Sequence, residues 1–221
     1  MKKYAVIVAG GNGTRMGSAV PKQFLQLNGR PVVWHTLETF LRAFEDLQLI
    51  LVAPANFEPE GKALIHQTTA PWRIQMVAGG ATRFHSVQNG LQQIDEESVV
   101  FVHDGVRCLV TEKLVRRCYN QALEKGSAIP AVAVSDSIRM AEGNTTRAID
   151  RNLLLAVQTP QTFRSEIILP AFRQTYSEAF TDEATVVEAA GHKVFMIEGE
   201  KENIKITLPA DLVIAEQLFK K

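Results

Sequence analysis

The stretch that decides the fold is Tyr4-Ala5-Val6-Ile7-Val8-Ala9 followed by Gly10-Gly11-Asn12-Gly13-Thr14-Arg15-Met16-Gly17, with Pro21-Lys22-Gln23 close behind. A short apolar run that empties into a glycine-rich, basic loop reads as a strand feeding a triphosphate cradle. Three glycines before Arg15 remove the side chains that would hold backbone amides away from an anion, and a following turn or helix start aims those amides at phosphate oxygens. Arg15 and Lys22 add full charges that backbone dipoles lack: arginine grips phosphate through two parallel hydrogen bonds, lysine acts as a mobile point charge. Two other phosphate loops fit poorly. A dinucleotide fingerprint beginning at Gly11 needs Gly or Ala where Met16 stands, and the second apolar run, Leu49-Ile50-Leu51-Val52, leads into Ala53-Pro54 without an acid for a ribose. A P-loop needs Gly-Lys followed by Ser or Thr, whereas Ser18 follows Gly17 and Lys22 follows a proline.

Working outward, apolar runs at Ala5 to Ala9, Leu49 to Val52, Ile74 to Val77, Val99 to Val102 and Ile129 to Val134 alternate with segments of helical spacing, such as Val33, Leu37, Phe40, Leu41 and Phe44. That order predicts an α/β domain with a mostly parallel twisted sheet flanked by helices. Ligands of such sheets sit beyond the carboxyl ends of the strands, where Gly10 to Lys22, Gly79-Gly80 and Asp104 all fall. His192 to Ile197 reads as a late strand and Pro209 to Phe219 as a closing helix with proline in its first turn. In Ile204-Lys205-Ile206, extended alternation puts both isoleucines on one face and Lys205 on the other. From Ser135 to Ala156 the alternation breaks into a polar, charged stretch with Glu142-Gly143-Asn144 as a tight turn, which predicts a projecting β-hairpin arm at about residues 135–157 of one domain spanning 1–221.

The chain has 221 residues, 46% of them hydrophobic, enough for one sizeable core. Lys plus Arg and Asp plus Glu both number 24, so no overall positive field recommends a nucleic-acid partner. Met1-Lys2-Lys3 passes straight into a strand, and no apolar run approaches the ~20 residues of a membrane span, so a cytoplasmic protein without membrane attachment is expected. Cys118 falls on the apolar spacing of a helix and reads as an inert buried thiol; Cys108 has no paired Cys-x-x-Cys and no basic His nearby, which argues against a catalytic thiol. The histidines lack zinc-site spacing, and His103 reads as a packed or hydrogen-bonded residue at a strand end.

The opening loop resembles the signature of the sugar-phosphate nucleotidyltransferase superfamily, in particular of the 2-C-methyl-D-erythritol 4-phosphate cytidylyltransferases. The similarity continues through Gly79-Gly80 with Arg83 and Ser86-Val87, Val102-His103-Asp104 with Arg107, Asp136-Ser137, Asp150-Arg151, Thr159-Pro160-Gln161, Thr181-Asp182-Glu183-Ala184 and Asn203-Ile204-Lys205-Ile206-Thr207. The resemblance implies a Rossmann-like nucleotidyltransferase that joins CTP to 2-C-methyl-D-erythritol 4-phosphate and releases pyrophosphate in non-mevalonate isoprenoid biosynthesis. It implies a catalytic set of Arg15, Lys22, Arg151 and Lys205, and nucleotide contacts from Ala9, Gly10, Gly11, Gly13, Gly80, Ser86 and Asp104. Acceptor contacts would come from Ser137, Arg151, Thr159, Thr181 and Lys205. Mg2+ would be carried mainly on the CTP phosphates, with Asp104 either orienting the metal or hydrogen bonding to a ribose or acceptor hydroxyl. The arm would interlock with that of a second subunit in a homodimer, sending Arg151 and Thr159 toward the partner's site. The chain departs from the commoner pattern at Ala81, where an acid often stands, at Gly105-Val106 in place of two alanines, and at Ser137 in place of Thr. Ribitol 5-phosphate is an alternative acceptor on the same scaffold, and a noncatalytic nucleotide-binding protein is the alternative of another class.

Overall fold

The computed structural model describes residues 1–11 and 21–219. In chain order its elements begin with β1 (Lys2–Val8), a short ribbon of β2 (Gln26–Leu27) and β3 (Arg30–Pro31), α1 (Val32–Ala43), β4 (Leu47–Ala53), α2 (Glu58–His66), β5 (Ile74–Ala78), α3 (Arg83–Leu91) and β6 (Ser98–Asp104). They continue with α4 (Glu112–Lys125), β7 (Ser127–Ala133), the hairpin β8 (Ile138–Glu142) and β9 (Thr145–Ile149), β10 (Leu155–Val157), β11 (Gln161–Arg164), α5 (Ser165–Ala171), α6 (Glu183–Ala189), β12 (Met196–Glu198) and α7 (Pro209–Leu218).

One sheet runs in the order β10-β7-β11-β6-β1-β4-β5, with β12 also paired to β7. β6, β1, β4 and β5 are mutually parallel, β11 is antiparallel to both β6 and β7, and β10 is antiparallel to β7. The sheet is therefore mixed and mostly parallel, as expected from the alternating pattern. β1 is buried on both faces, which is why it reads as a continuous apolar run. Ala5 and Ile7 pack with Leu37, Phe40 and Leu114 on one face, and Val6 packs with Val87, Phe163 and Val187 on the other. Phe40 meets Phe101 edge to face, ring centroids 5.8 Å apart. α4 opens on Thr111, whose hydroxyl accepts from the Leu114 amide, and closes on Gly126 at φ 87°.

Register places the site. Val8 of β1 lies opposite both Val52 of β4 and Asp104 of β6, and Ala53 lies opposite Ala78 of β5. Four parallel strands thus end level with one another, and the segments that follow them emerge side by side at one edge.

Several expectations need adjustment. The hairpin forms its own two-stranded sheet, with Gly143 at φ 60° in the turn, but the end of the expected arm, Leu155–Val157, belongs to the main sheet beside β7. The late strand is Met196–Glu198, shorter and further along than His192 to Ile197, and it pairs with β7 from Met196 opposite Ile129 to Glu198 opposite Ala131. Ile204-Lys205-Ile206 lies outside regular secondary structure, and the expected alternation is met in part: Ile206 is fully buried with Leu27, Val32 and Ala215 and Lys205 faces a cleft, whereas Ile204 is only half-buried. Both cysteines are buried, and burial pushes each thiol up to about 12. Among the described residues no helix is long and apolar enough to cross a membrane.

Candidate active site

At the level edge of the sheet lies a cleft of about 560 Å³. Its lining comes from Ala9, Gly10 and Gly11 after β1, Pro54 and Ala55 after β4, Gly79 to Arg83 after β5, Ser86 on α3, Asp104 at the end of β6, and Lys22, Gln23 and Lys205. The strand ends fix the loops through the sheet's own hydrogen bonds: Ala9 N donates to Val52 O at 2.7 Å, Gly79 N to Ala53 O at 2.8 Å, and Gly105 N to Val8 O at 2.9 Å. Gly80 passes so close to α3 that a Cβ there would stand 2.4 Å from the His85 Cβ and 2.8 Å from its carbonyl carbon, which explains why this position is glycine. Ser86, almost fully buried, braces that turn, accepting from Gly80 N at 3.0 Å and donating to Thr82 O at 2.9 Å.

Asp104 is the electrostatic centre. Its Oδ1 accepts from Arg83 Nη2 at 3.2 Å and Nε at 3.3 Å, and its Oδ2 lies 2.8 Å from Lys205 Nζ and 3.7 Å from Arg107 Nε. Burial alone would raise the carboxyl's pKa; the Arg83, Lys205 and Arg107 charges outweigh it and hold Asp104 well below the usual carboxylate range. Arg83 also grips Glu183, with Nη2 3.1 Å from Oε2 and a second, parallel contact from Nη1 to Oε1. Burial alone would lower the Arg83 pKa; the Glu183 and Asp104 carboxylates outweigh it and hold the guanidinium above its ordinary range, while burial of Glu183 raises that carboxyl's own pKa.

Beneath Asp104 the polar chain can be followed proton by proton. Asp104 N donates to the Thr159 hydroxyl at 3.1 Å, that hydroxyl lies 3.0 Å from His103 Nδ1, and His103 Nε2 lies 3.1 Å from Arg107 O. A carbonyl only accepts, so Nε2 carries the proton, Nδ1 is the acceptor, and the Thr159 hydroxyl donates to it. The ring is neutral, and burial pushes its pKa down to about 3. Asn203 closes the arrangement, its side-chain Nδ2 donating to Thr159 O at 2.8 Å while its backbone carbonyl accepts from Arg107 Nη1 at 2.7 Å.

Of the expected site residues, Ala9, Gly10, Gly11, Lys22, Gly80, Ser86, Asp104 and Lys205 meet in this one cleft. Lys22 Nζ donates to Ile206 O at 2.9 Å, one residue from Lys205. Thr159 is buried under Asp104 with its hydroxyl engaged inside its own subunit, in contrast to the expected reach toward a partner. Ser137 and Arg151 lie exposed at the root of the hairpin, outside the cleft, where the Arg151 guanidinium donates to Ser135 O. Thr181 is exposed just before α6, two residues from Glu183. Gly13 and Arg15 lie outside the described residues. Arg83 and Glu183 stand in quoted sequence blocks without an assigned role; their pairing joins positions 100 residues apart, and only the fold brings them together.

The family model described as 2-C-methyl-D-erythritol 4-phosphate cytidylyltransferase matches residues 4–221. The chain belongs to that family. A 2-C-methyl-D-erythritol 4-phosphate cytidylyltransferase of Phocaeicola vulgatus is 42% identical over 219 residues, which cover 99% of this chain and all of the relative. Among solved structures, a 4-diphosphocytidyl-2C-methyl-D-erythritol synthase of Anaerococcus prevotii superposes with a TM-score of 0.85 at 26% identity, covering 100% of this chain and 99% of the other. The 2-C-methyl-D-erythritol 4-phosphate cytidylyltransferase of Thermus thermophilus gives 0.78 at 31% identity, with both chains fully covered. Membership of the cytidylyltransferase family thus extends over sheet, cleft and hairpin alike.

Proposed function

We propose that this protein transfers the cytidylyl group of CTP to 2-C-methyl-D-erythritol 4-phosphate. An oxygen of the acceptor phosphate forms a bond to the α-phosphorus, the bond from that phosphorus to the bridging oxygen breaks in line, and pyrophosphate leaves. The acceptor oxygen is already ionised, so no protein nucleophile is required. What the reaction demands is alignment of two anions and stabilisation of charge on the bridging and equatorial oxygens. The observation that carries the reading is that Lys22 and Lys205 border the same cleft as the glycine backbone of Gly10, Gly11 and Gly80, in a chain that matches the family from end to end.

Roles follow from charge and reach. Lys22, with Arg15, would stabilise the triphosphate and departing pyrophosphate; Lys205 would exchange Asp104 for the acceptor phosphate. Thr181 and Ser137 supply hydroxyls for the acceptor, and Arg151 a second cation from a partner subunit of a cytoplasmic homodimer. For the base, Ser86 has its proton and one lone pair committed within the chain, leaving one lone pair that only accepts. An amino group on the base edge suits that acceptor, and the O4 of a uracil does not.

A magnesium ion fits as a passenger on the triphosphate. Among the described residues no three acidic or imidazole side chains cluster as a protein-held metal site, and Asp104 is the one carboxylate bordering the cleft. Asp104 would therefore be its sole protein ligand. When bound, the ion would neutralise phosphate charge as the leaving group departs.

Pyrophosphate release with magnesium and CTP tests the reading, with 2-C-methyl-D-erythritol 4-phosphate and ribitol 5-phosphate supplied in parallel. Selective release with the first acceptor is expected; preference for ribitol 5-phosphate reassigns the acceptor, and silence with both rejects the transfer. In the same assay Lys22→Ala should lose about 100- to 1,000-fold in turnover, corresponding to about 2.7–4 kcal/mol of barrier. Near-normal turnover would remove Lys22 from the machinery.

A further inference from the structure

Gln23 is 1% exposed beside a polar cleft, and its side-chain amide is spent on the phosphate loop. Nε2 donates to Ala9 O at 2.5 Å and to Gly11 O at 3.1 Å. Both partners are carbonyls, which only accept, so the nitrogen must face them and the amide's orientation is fixed. In a trans peptide the C=O and the N–H of the next residue point in opposite directions. Drawing the Ala9 carbonyl toward Gln23 therefore turns the Gly10 N–H to the opposite side. One buried amide thus sets the direction of a backbone dipole at the cleft.

The same residue anchors the lysine. Lys22–Phe24 form a single 3-10 turn, closed by Phe24 N to Pro21 O at 2.9 Å and Leu25 N to Lys22 O at 3.2 Å. Consecutive side chains on such a turn diverge by roughly 120°. With Gln23 directed inward at the loop, Lys22 is presented on a different side, where its Nζ meets the Ile206 carbonyl at the cleft. We propose that Gln23 is a positioning residue that locks the Ala9–Gly11 backbone to Lys22, so that loop dipole and lysine meet the phosphates of a nucleoside triphosphate as one preformed unit. The proposal rests on the cytidylyltransferase reading and assigns Gln23 no contact with substrate.

Two variants test it. Gln23→Met keeps the side chain's length and removes the donor, leaving the two carbonyls without it; CTP affinity by calorimetry should fall about tenfold or more, with a drop in kcat, while the KM for the acceptor stays within about twofold. Thermal unfolding establishes that the variant is folded, and a folded Gln23→Met with wild-type CTP affinity overturns the proposal. Gln23→Glu gives a second readout. Its carboxylate repels both carbonyls when ionised and donates to one when protonated, and burial raises its pKa. Inorganic pyrophosphate affinity, normalised to wild type at each pH, should therefore recover as pH falls from 8 to 6; a pH-independent ratio overturns the proposal even if Gln23→Met fails to fold. Silence of the wild type with both polyol phosphates rejects the cytidylyltransferase reading alone, because pyrophosphate binding by wild type and Gln23→Glu still decides the role of Gln23.

Discussion

His103 shows how a buried ring with no access to substrate makes the stability of the fold depend on pH. Its ring accepts from Thr159, donates to Arg107 O and lies beneath the Asp104 backbone, all in the neutral form. The folded pKa is about 3 against an ordinary 6.5, so between those values the unfolded chain takes up a proton that the folded chain refuses. Stability consequently rises with pH through that interval, and this contribution is complete above about pH 6.5 and lost as pH falls toward 3. Urea unfolding at pH 7, 6 and 5 should show a loss that approaches about 1.4 kcal/mol per pH unit from this group. His103→Gln, which keeps an amide donor and cannot be protonated, should flatten that slope; an unchanged slope would mean that other groups dominate the acid limb.

At the scale of elements, the start of α6 ties the acidic half of the site to the sheet. Asp182 caps the helix by accepting from Thr185 N at 2.9 Å, and its other oxygen accepts from Gln161 of β11 at 2.8 Å. The next residue is Glu183, fully buried against Arg83 of α3. Glu183→Ala would leave a largely buried guanidinium with half of its counter-charge, and because Asp104 remains as a partner the loss should lie at the lower end of about 3–5 kcal/mol. Equilibrium unfolding of Glu183→Ala beside Glu183→Gln measures it, and a loss below 1 kcal/mol for the alanine variant would show that Asp104 alone suffices. The parallel strands, by contrast, were legible in the sequence, since continuous apolar runs bounded by Gly, Pro and Asp are what burial on both faces requires. The cleft was legible for the same reason: loops that follow parallel strands share one edge. The antiparallel insertion of β10 and β11 beside β7 was not, because three- and four-residue strands carry no period of their own and are fixed by the partner they meet. Nor were the partners of Glu183 or Thr159, whose hydrogen bonds close over 100 and 55 residues.

For the whole molecule, the surface that argues for assembly is the hairpin and its root. Leu153 is 81% exposed, Leu155 53% and Met140 41%, an apolar group that one subunit leaves in water. Leu155 and Val157 share a face of β10, and among the described residues β8 and β9 pair only with each other. An isolated two-stranded ribbon is marginal in water, so a second copy across the arm would stabilise it and cover the leucines. Arg151, at the same root and outside its own cleft, would then be delivered to the partner's. Wild type should sediment at twice 24.5 kDa and Leu155→Asp with Leu153→Asp at or near the single mass, with turnover falling in step. Complementation decides whether Arg151 crosses. Lys22→Ala and Arg151→Ala are each expected to be impaired, but in a mixed dimer one of the two sites combines Lys22 of one chain with Arg151 of the other and is intact. With random pairing after co-expression, about a quarter of all sites would be restored. If Arg151 served its own subunit, every site would lack one cation and co-expression would restore nothing.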